Sequence, residues 1–226
     1  MDRTLIVFAR EPVAGRTKTR LCPPLDGDTA ARLYACFLAD TLASASRVAG
    51  ARAAIAHTPE SRPAFFAALA PGMAAWPQRG AALGERMDNA FAEVLAGDAG
   101  VVIVGSDSPD LPAAYVGEAF GRLESGADVV LGPSDDGGYY LIGLRARQPR
   151  LLREVPMSTP TVLADTLALA RALGLRAELL PQWYDVDTAA ELARLAECLR
   201  AAPPEVAPHT RAFLQALGQG VGKREG

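Results

Sequence analysis

Along the chain, short apolar runs alternate with longer stretches in which Ala and Leu recur at helical spacing. The runs are Thr4–Ala9, Ala51–His57, Val101–Gly105, Asp128–Gly132, Tyr139–Leu144 and Arg176–Leu180. Most show no strict apolar/polar alternation, the pattern of strands in a sheet covered on both faces. Between them, Asp28–Val48, Arg62–Leu69, Ala82–Ala96, Ala113–Glu124, Thr159–Leu173 and Thr188–Arg200 read as helices. Thr188-Ala-Ala-Glu191 has the form of a capping box. Thr159-Pro160 places proline at a first helical position, and Gly174 supplies a stop before the strand at 176–180. This alternation predicts an α/β protein, a three-layer α/β/α, Rossmann-like arrangement around a mostly parallel sheet.

Sheets of this kind bind ligands beyond the carboxyl ends of their strands. The loops after residues 4–9 and 101–105 are therefore expected to share a crevice, with Lys18 near Asp107. One domain is expected over residues 1–200. Ala201-Ala-Pro-Pro204 marks a composition shift, and residues 201–226 read as an extension with a small helix at His209–Leu217 and a fraying end at Gly218–Gly226.

Composition narrows the classes. A chain of 226 residues can bury a core without disulfides or structural metal. A net charge of -3 argues against broad binding to nucleic acid or an anionic membrane. No apolar run approaches the roughly 20 residues of a membrane span. The start of the chain leads directly into a strand, so the expected location is cytoplasmic. Cys22, Cys36 and Cys198 are widely spaced and form no C-x-x-C pair, and His57 and His209 form no metal-ligand pattern, so all five are expected to be structural.

Charge chemistry changes the picture most. Of 23 basic side chains only Lys18 and Lys223 are lysine. Lys18 lies in Arg10-Glu-Pro-Val-Ala-Gly-Arg-Thr-Lys-Thr-Arg20, directly after the first strand. An ammonium is a compact point charge suited to bridging phosphate oxygens. Pro12 and Gly15 bend this loop, and Arg16 and Arg20 flank the lysine, so it reads as a phosphate site.

Asp107 follows a buried strand and precedes a proline-set turn, which aims it at the crevice. A strand-end carboxylate opposite a phosphate loop suits a hard cation, Mg²⁺ or Mn²⁺. Asp110 reads as a turn cap. In Trp183-Tyr-Asp-Val-Asp-Thr188, only one of Asp185 and Asp187 is expected to reach that metal, and Asp187 is the choice because it ends the extended stretch. The segment Gly132-Pro-Ser-Asp-Asp-Gly-Gly-Tyr-Tyr-Leu-Ile-Gly143 combines two acids, paired glycines and two aromatics. It reads as an acceptor loop of Asp135, Asp136, Gly137, Gly138 and Tyr139, and equally as a hairpin turn. Leu83-Gly-Glu-Arg-Met87 opens a helix, and its Gly84 could admit a nucleotide to the backbone. No G-x-x-x-x-G-K-[ST], no G-x-G-x-x-G after the first strand and no G-x-S-x-G is present, which disfavours a P-loop kinase, a Rossmann dehydrogenase and an acyl hydrolase.

Together, Phe8–Leu21, Gly84–Met87, Gly105–Pro112, Gly132–Gly143 and Asp185–Thr188 resemble the bacterial GT-A-like nucleotide-diphospho-sugar transferases labelled rSAM/selenodomain-associated or arsenosugar-biosynthesis-type glycosyltransferases. These are distantly similar to molybdenum-cofactor and phospholactate nucleotidyltransferases. The likeness spans roughly residues 3–200. It implies a GT-A fold, phosphate binding at Lys18 and Arg20, with Ala9, Arg10, Gly15 and Gly84 in the nucleotide site, and a divalent metal on Asp107. The expected partners are a nucleotide sugar or nucleoside triphosphate and a small-molecule acceptor, with Lys18, Asp107 and Asp136 catalytic. Glycosyl transfer leads, nucleotidyl transfer is the alternative, and a non-catalytic nucleotide-sugar binder is a third reading. Asp107-Ser-Pro-Asp110 only approximates the usual D-x-D.

Overall fold

A computed structural model describes residues 2–95 and 100–221, with side chains through Gly218. Seven strands form one sheet: β1 Arg3–Ala9, β2 Ala51–His57, β3 Ala74–Pro77, β4 Gly100–Val104, β5 Val129–Pro133, β6 Tyr139–Leu144 and β7 Ala177–Leu179. The order is β3-β2-β1-β4-β6-β5-β7. β1, β2, β3 and β4 are mutually parallel, β6 runs antiparallel between β4 and β5, and β7 pairs in parallel with β5. The sheet is thus mostly parallel, with one reversed strand.

Helices cover both faces. Successive residues of a strand point to opposite faces, so β1 sends Leu5 and Val7 to one side and Ile6 to the other. The first side packs on α1 Gly27–Ala45, α2 Pro63–Leu69 and α4 Ala113–Glu124 through Leu38, Leu42, Phe66 and Phe120. The second packs on α3 Leu83–Val94, α5 Pro149–Arg153 and α6 Val162–Ala172 through Met87, Phe91, Leu151 and Ala170. A third cluster joins α1 to α7 Ala189–Ala201 and α8 Pro208–Val221 around Tyr34, Phe37, Tyr184, Val186 and Leu195. This third cluster lies beneath the loop that follows β1 and carries a 3-10 turn at Thr19–Leu21. Among the described residues no helix is long and apolar enough to cross a membrane.

Several local expectations shift. The short β3 and α5 were not expected. Thr188 and Glu191 do form the capping box at the start of α7. Proline at position 160 does not open a helix: α6 begins at Val162, because the Leu163 amide donates to the Gly137 carbonyl at 3.1 Å instead of closing a helical turn. The C-terminal helix extends to Val221, past the expected stop at Leu217, with residues 222–226 outside the described range. It packs on α1, where buried Asp40 accepts hydrogen bonds from the His209 and Thr210 amides at 3.0 and 2.8 Å and so caps its first turn.

Candidate active site

The crevice lies where β1 and β4 sit side by side with their connections leading to opposite halves of the sheet, the switch point at which such sheets take ligands. The loop after β1 is braced internally. Thr17 Oγ1 accepts from the Val13 amide at 3.0 Å, and the Arg16 and Thr17 amides donate to the Val13 carbonyl. Glu11 is buried in an ion pair with Arg62 at the start of α2, which holds its carboxyl below the usual range, the Arg62 hydrogen bond outweighing burial. Gly15 turns the chain at φ 71°, and Lys18 itself adopts a left-handed conformation at φ 52°. That geometry is rare for a residue with a Cβ and persists where surrounding structure enforces it.

Here the surroundings are specific. The Lys18 side chain is only 4 % exposed, and its ammonium reaches Asp107 Oδ1 at 2.5 Å and Asp187 Oδ1 at 2.9 Å. It stands 5.9 Å from the ring centre of Tyr34 and 5.7 Å from that of Phe37. Burial lowers its pKa, yet Asp107 and Asp187 more than offset this, so it is raised above the ordinary lysine value. Arg20 extends the pair outward to Asp187 Oδ2 at 3.4 Å.

Asp187 was expected here, and Asp185 was not. Residues two apart in an extended chain share a face, and both carboxylates turn towards the crevice. Asp185 accepts from Ser108 Oγ at 2.6 Å and Ser134 Oγ at 3.4 Å. Burial and the neighbouring Asp107 charge push it up to about 6. The 183–188 segment is locked to the loop after β4 by the Val186 amide, which donates to the Asp107 carbonyl at 2.9 Å. The Tyr184 hydroxyl adds a second lock, donating to Asp110 Oδ2 at 2.7 Å. Asp110 is therefore an anchor for Tyr184 and not a turn cap.

Two adjoining chambers open at this point. A basic one of about 240 Å³ is lined by Arg10, Arg16, Lys18, Arg20, Asp107 and Asp187. A larger one of about 290 Å³ has apolar walls that include Phe8, Ala9, Leu83, Met87 and Ile142, with polar groups from Gln78, Arg86, Tyr139 and Asp185. Arg10, Tyr34 and Asp107 line both.

Asp107 and Asp187 are 43 % and 39 % exposed and present hard oxygen donors to the basic chamber. Among the described residues no group of three or more His, Cys, Asp or Glu side chains is arranged to hold an ion alone. Two carboxylates fall short of a protein-only metal site, so a divalent cation there would have to take its remaining ligands from water and phosphate oxygens.

Other expected residues are placed differently. Gly84 packs α3 against α5: a Cβ there would lie 1.8 Å from the Leu152 carbonyl oxygen, so its smallness serves helix packing. Tyr139 lines the larger chamber, but Asp135, Asp136, Gly137 and Gly138 line neither. Asp135 is held by Gln182 at 2.8 Å and Arg194 at 2.5 Å, and Asp136 accepts the Gly138 amide at 2.9 Å in the β5–β6 hairpin turn. Gly137, at φ 87°, lets that turn press on the Pro160 carbonyl. Residues 134–138 thus form the expected hairpin turn between β5 and β6. Sequence reasoning also missed Tyr34 and Gln78, which no motif marks, and in the Gly84–Met87 motif it singled out Gly84 where Arg86 is the residue that lines the chamber.

The fold is that of nucleotide-diphospho-sugar transferase-like proteins. A structure from Desulfovibrio desulfuricans G20, provisionally described as a nucleotide-diphospho-sugar transferase, matches with TM-score 0.89 and 32 % identity, covering 95 % of this chain and 94 % of that one. The chain belongs to the family described as "Uncharacterized protein conserved in bacteria (DUF2064)", whose model matches residues 41–159. CMP:2-keto-3-deoxy-manno-octonic acid synthetase, solved with CTP, shares the fold at TM-score 0.56 and 16 % identity, over 89 % of this chain and 99 % of that one. So does protein Rv0371c of Mycobacterium tuberculosis H37Rv, solved with manganese, at TM-score 0.52 and 18 % identity, over 87 % and 99 %. No curated protein matches the sequence.

Proposed function

We propose that this protein is a divalent-metal-dependent transferase acting on a nucleotide-activated substrate, most simply glycosyl transfer from a nucleotide-diphospho-sugar to a small-molecule acceptor. The observation that carries this reading is the buried Lys18 ammonium, held between Asp107 and Asp187 in the lining of a chamber that also gathers Arg10, Arg16 and Arg20. That concentration of cations in a chain of net negative charge fits a diphosphate. The Desulfovibrio relative's description supports the donor class.

In this reading the diphosphate lies in the basic chamber against Lys18 and Arg20. Mg²⁺ or Mn²⁺ held by Asp107 and Asp187 would neutralise charge on the leaving phosphate. The larger chamber takes the uncharged portion of the substrate between its apolar walls. Asp185, which lines that chamber, would accept a hydrogen bond from an acceptor hydroxyl. Residues 1–200 would form the transferase domain, with α8 bracing it from the far side of α1.

Nucleotidyl transfer is the second reading, favoured by the Lys18 and Arg20 cluster of the basic chamber, which would suit charge developing on a leaving pyrophosphate. The two are distinguished by product: incubation with nucleotide sugars or with UTP, GTP and CTP in Mn²⁺, followed by assay for released nucleoside diphosphate or pyrophosphate. Nucleoside diphosphate release is the expected result. Pyrophosphate release would establish the second reading, and binding without either product would reduce the protein to a nucleotide-sugar binder.

A further inference from the structure

Tyr34 belongs to the middle of α1, is 2 % exposed, and yet lines both chambers. Its hydroxyl has two hydrogen-bond partners, Arg10 and Ser106, whose roles resolve one another. The Arg10 amide can only donate, and it points at Tyr34 Oη at 3.2 Å. Ser106 Oγ donates to the Phe8 carbonyl at 3.0 Å, so the 2.7 Å contact between Ser106 Oγ and Tyr34 Oη must carry the tyrosine proton. The result is a one-directional chain from Arg10 N–H to Tyr34 Oη, from Tyr34 O–H to Ser106 Oγ, and from Ser106 O–H to the Phe8 carbonyl.

This chain ties the first residue of the phosphate loop to the residue preceding Asp107, and closes back on β1. The face of the same ring lies beneath the Lys18 ammonium. Burial, with the Asp107 charge, pushes the phenol up to about 12, so it keeps its proton through the neutral range.

We infer that Tyr34 is a positioning residue, whose hydroxyl fixes the spacing between the phosphate loop and the Asp107 loop while its ring seats Lys18. The consequence for ligand binding rests on the nucleotide reading above, but the tie itself does not. Tyr34→Phe keeps the ring and the packing and removes only the link. Ser106→Ala breaks the same chain one step further on.

The experiment compares wild type, Tyr34→Phe, Ser106→Ala and the double variant by amide hydrogen exchange at Arg10 and by calorimetric titration with UDP, GDP and CDP in Mn²⁺. Both single variants are expected to speed Arg10 exchange and to weaken nucleotide binding by about tenfold, and the double variant to be no weaker than either single, as for members of one network. Thermal unfolding of each variant separates this from general loss of packing, since Tyr34→Phe should unfold within a few degrees of wild type. Unchanged Arg10 exchange in Tyr34→Phe, or additive losses in the double variant, would overturn the inference. If wild type binds no nucleotide, the transferase reading fails while Arg10 exchange still decides the role of Tyr34.

Discussion

Lys18 combines a strained backbone, a buried ammonium and two carboxylate partners, and each feature accounts for the others. The left-handed turn directs the side chain inward over Tyr34 and Phe37, and the paired charges offset the cost of burying it. Lys18→Ala should leave Asp107 and Asp187 facing each other with only the exposed Arg20, 3.4 Å from Asp187, as counter-ion. The expected outcome is a loss of about 2 kcal/mol in urea unfolding at neutral pH, together with at least tenfold weaker nucleotide binding in titration calorimetry. Lys18→Arg should not restore binding, because a planar fork cannot occupy the point between the two carboxylates. Lys18 and Asp107 were legible in the sequence because each sits just past a recognisable strand, and strand ends meet at the switch point. Asp185 was not, since choosing one acid of Asp185-Val-Asp187 overlooked that positions two apart project to the same side. Tyr34 gave no signal, being one aromatic among many apolar residues of a helix.

At the scale of elements, the second helical layer depends on two close fits. Gly84 admits the Leu152 carbonyl against α3, so Gly84→Ala forces backbone to move. A loss of about 3 kcal/mol is expected by chemical denaturation, without a specific change in metal requirement. Beside it, the fully buried Asp88 pairs with Arg147 at 2.8 Å and with Arg153 at 2.5 Å, fastening α3 to the segment after β6 and to α5. The Arg147 hydrogen bond is the chief reason its carboxyl is held below the usual range, against burial. A depressed carboxylate stabilises above its unfolded pKa, and that contribution is lost as pH falls through the folded value. Asp88→Asn is therefore expected to be less stable than wild type by about 1 to 3 kcal/mol at pH 7, with the gap closing as unfolding is followed down towards pH 3. A gap that stayed constant with pH would remove the charge from the explanation. The long helices were readable from their periodicity and the central strands from their short unbroken apolar runs. The edge strand β3 and the helix α5 were not, since four or five residues carry too little pattern. The start of α6 was misplaced because a tertiary contact, Gly137 to Leu163, overrode the proline signal.

For the whole molecule, layer count and crevice followed from the alternation of strands and helices, whereas the reversal of β6 between β4 and β5 depends on the hairpin turn at 134–138. Residues 201–226 read from the sequence as an appendage, yet Asp40 caps α8 and Arg32 lies 5.4 Å from the centre of the Phe213 ring. This helix buttresses the same α1 that carries Tyr34 and Phe37. Deleting residues 205–226 is expected to lower the melting temperature by several degrees and to weaken nucleotide binding with it, measured by thermal unfolding with and without ligand. A truncated chain with unchanged melting would mean that the extension is dispensable to the core.

The central claim is that Lys18, Asp107 and Asp187 form a metal-assisted diphosphate site. It is tested most directly by thermal shift of wild type and Asp107→Ala against UDP, GDP and CDP, each with and without Mn²⁺. At ligand concentrations near one hundred times Kd, the wild type should rise by about 5 °C or more with at least one nucleotide, only when metal is present. The variant should not respond. No shift with any nucleotide, or an equal shift in the variant, would contradict the account.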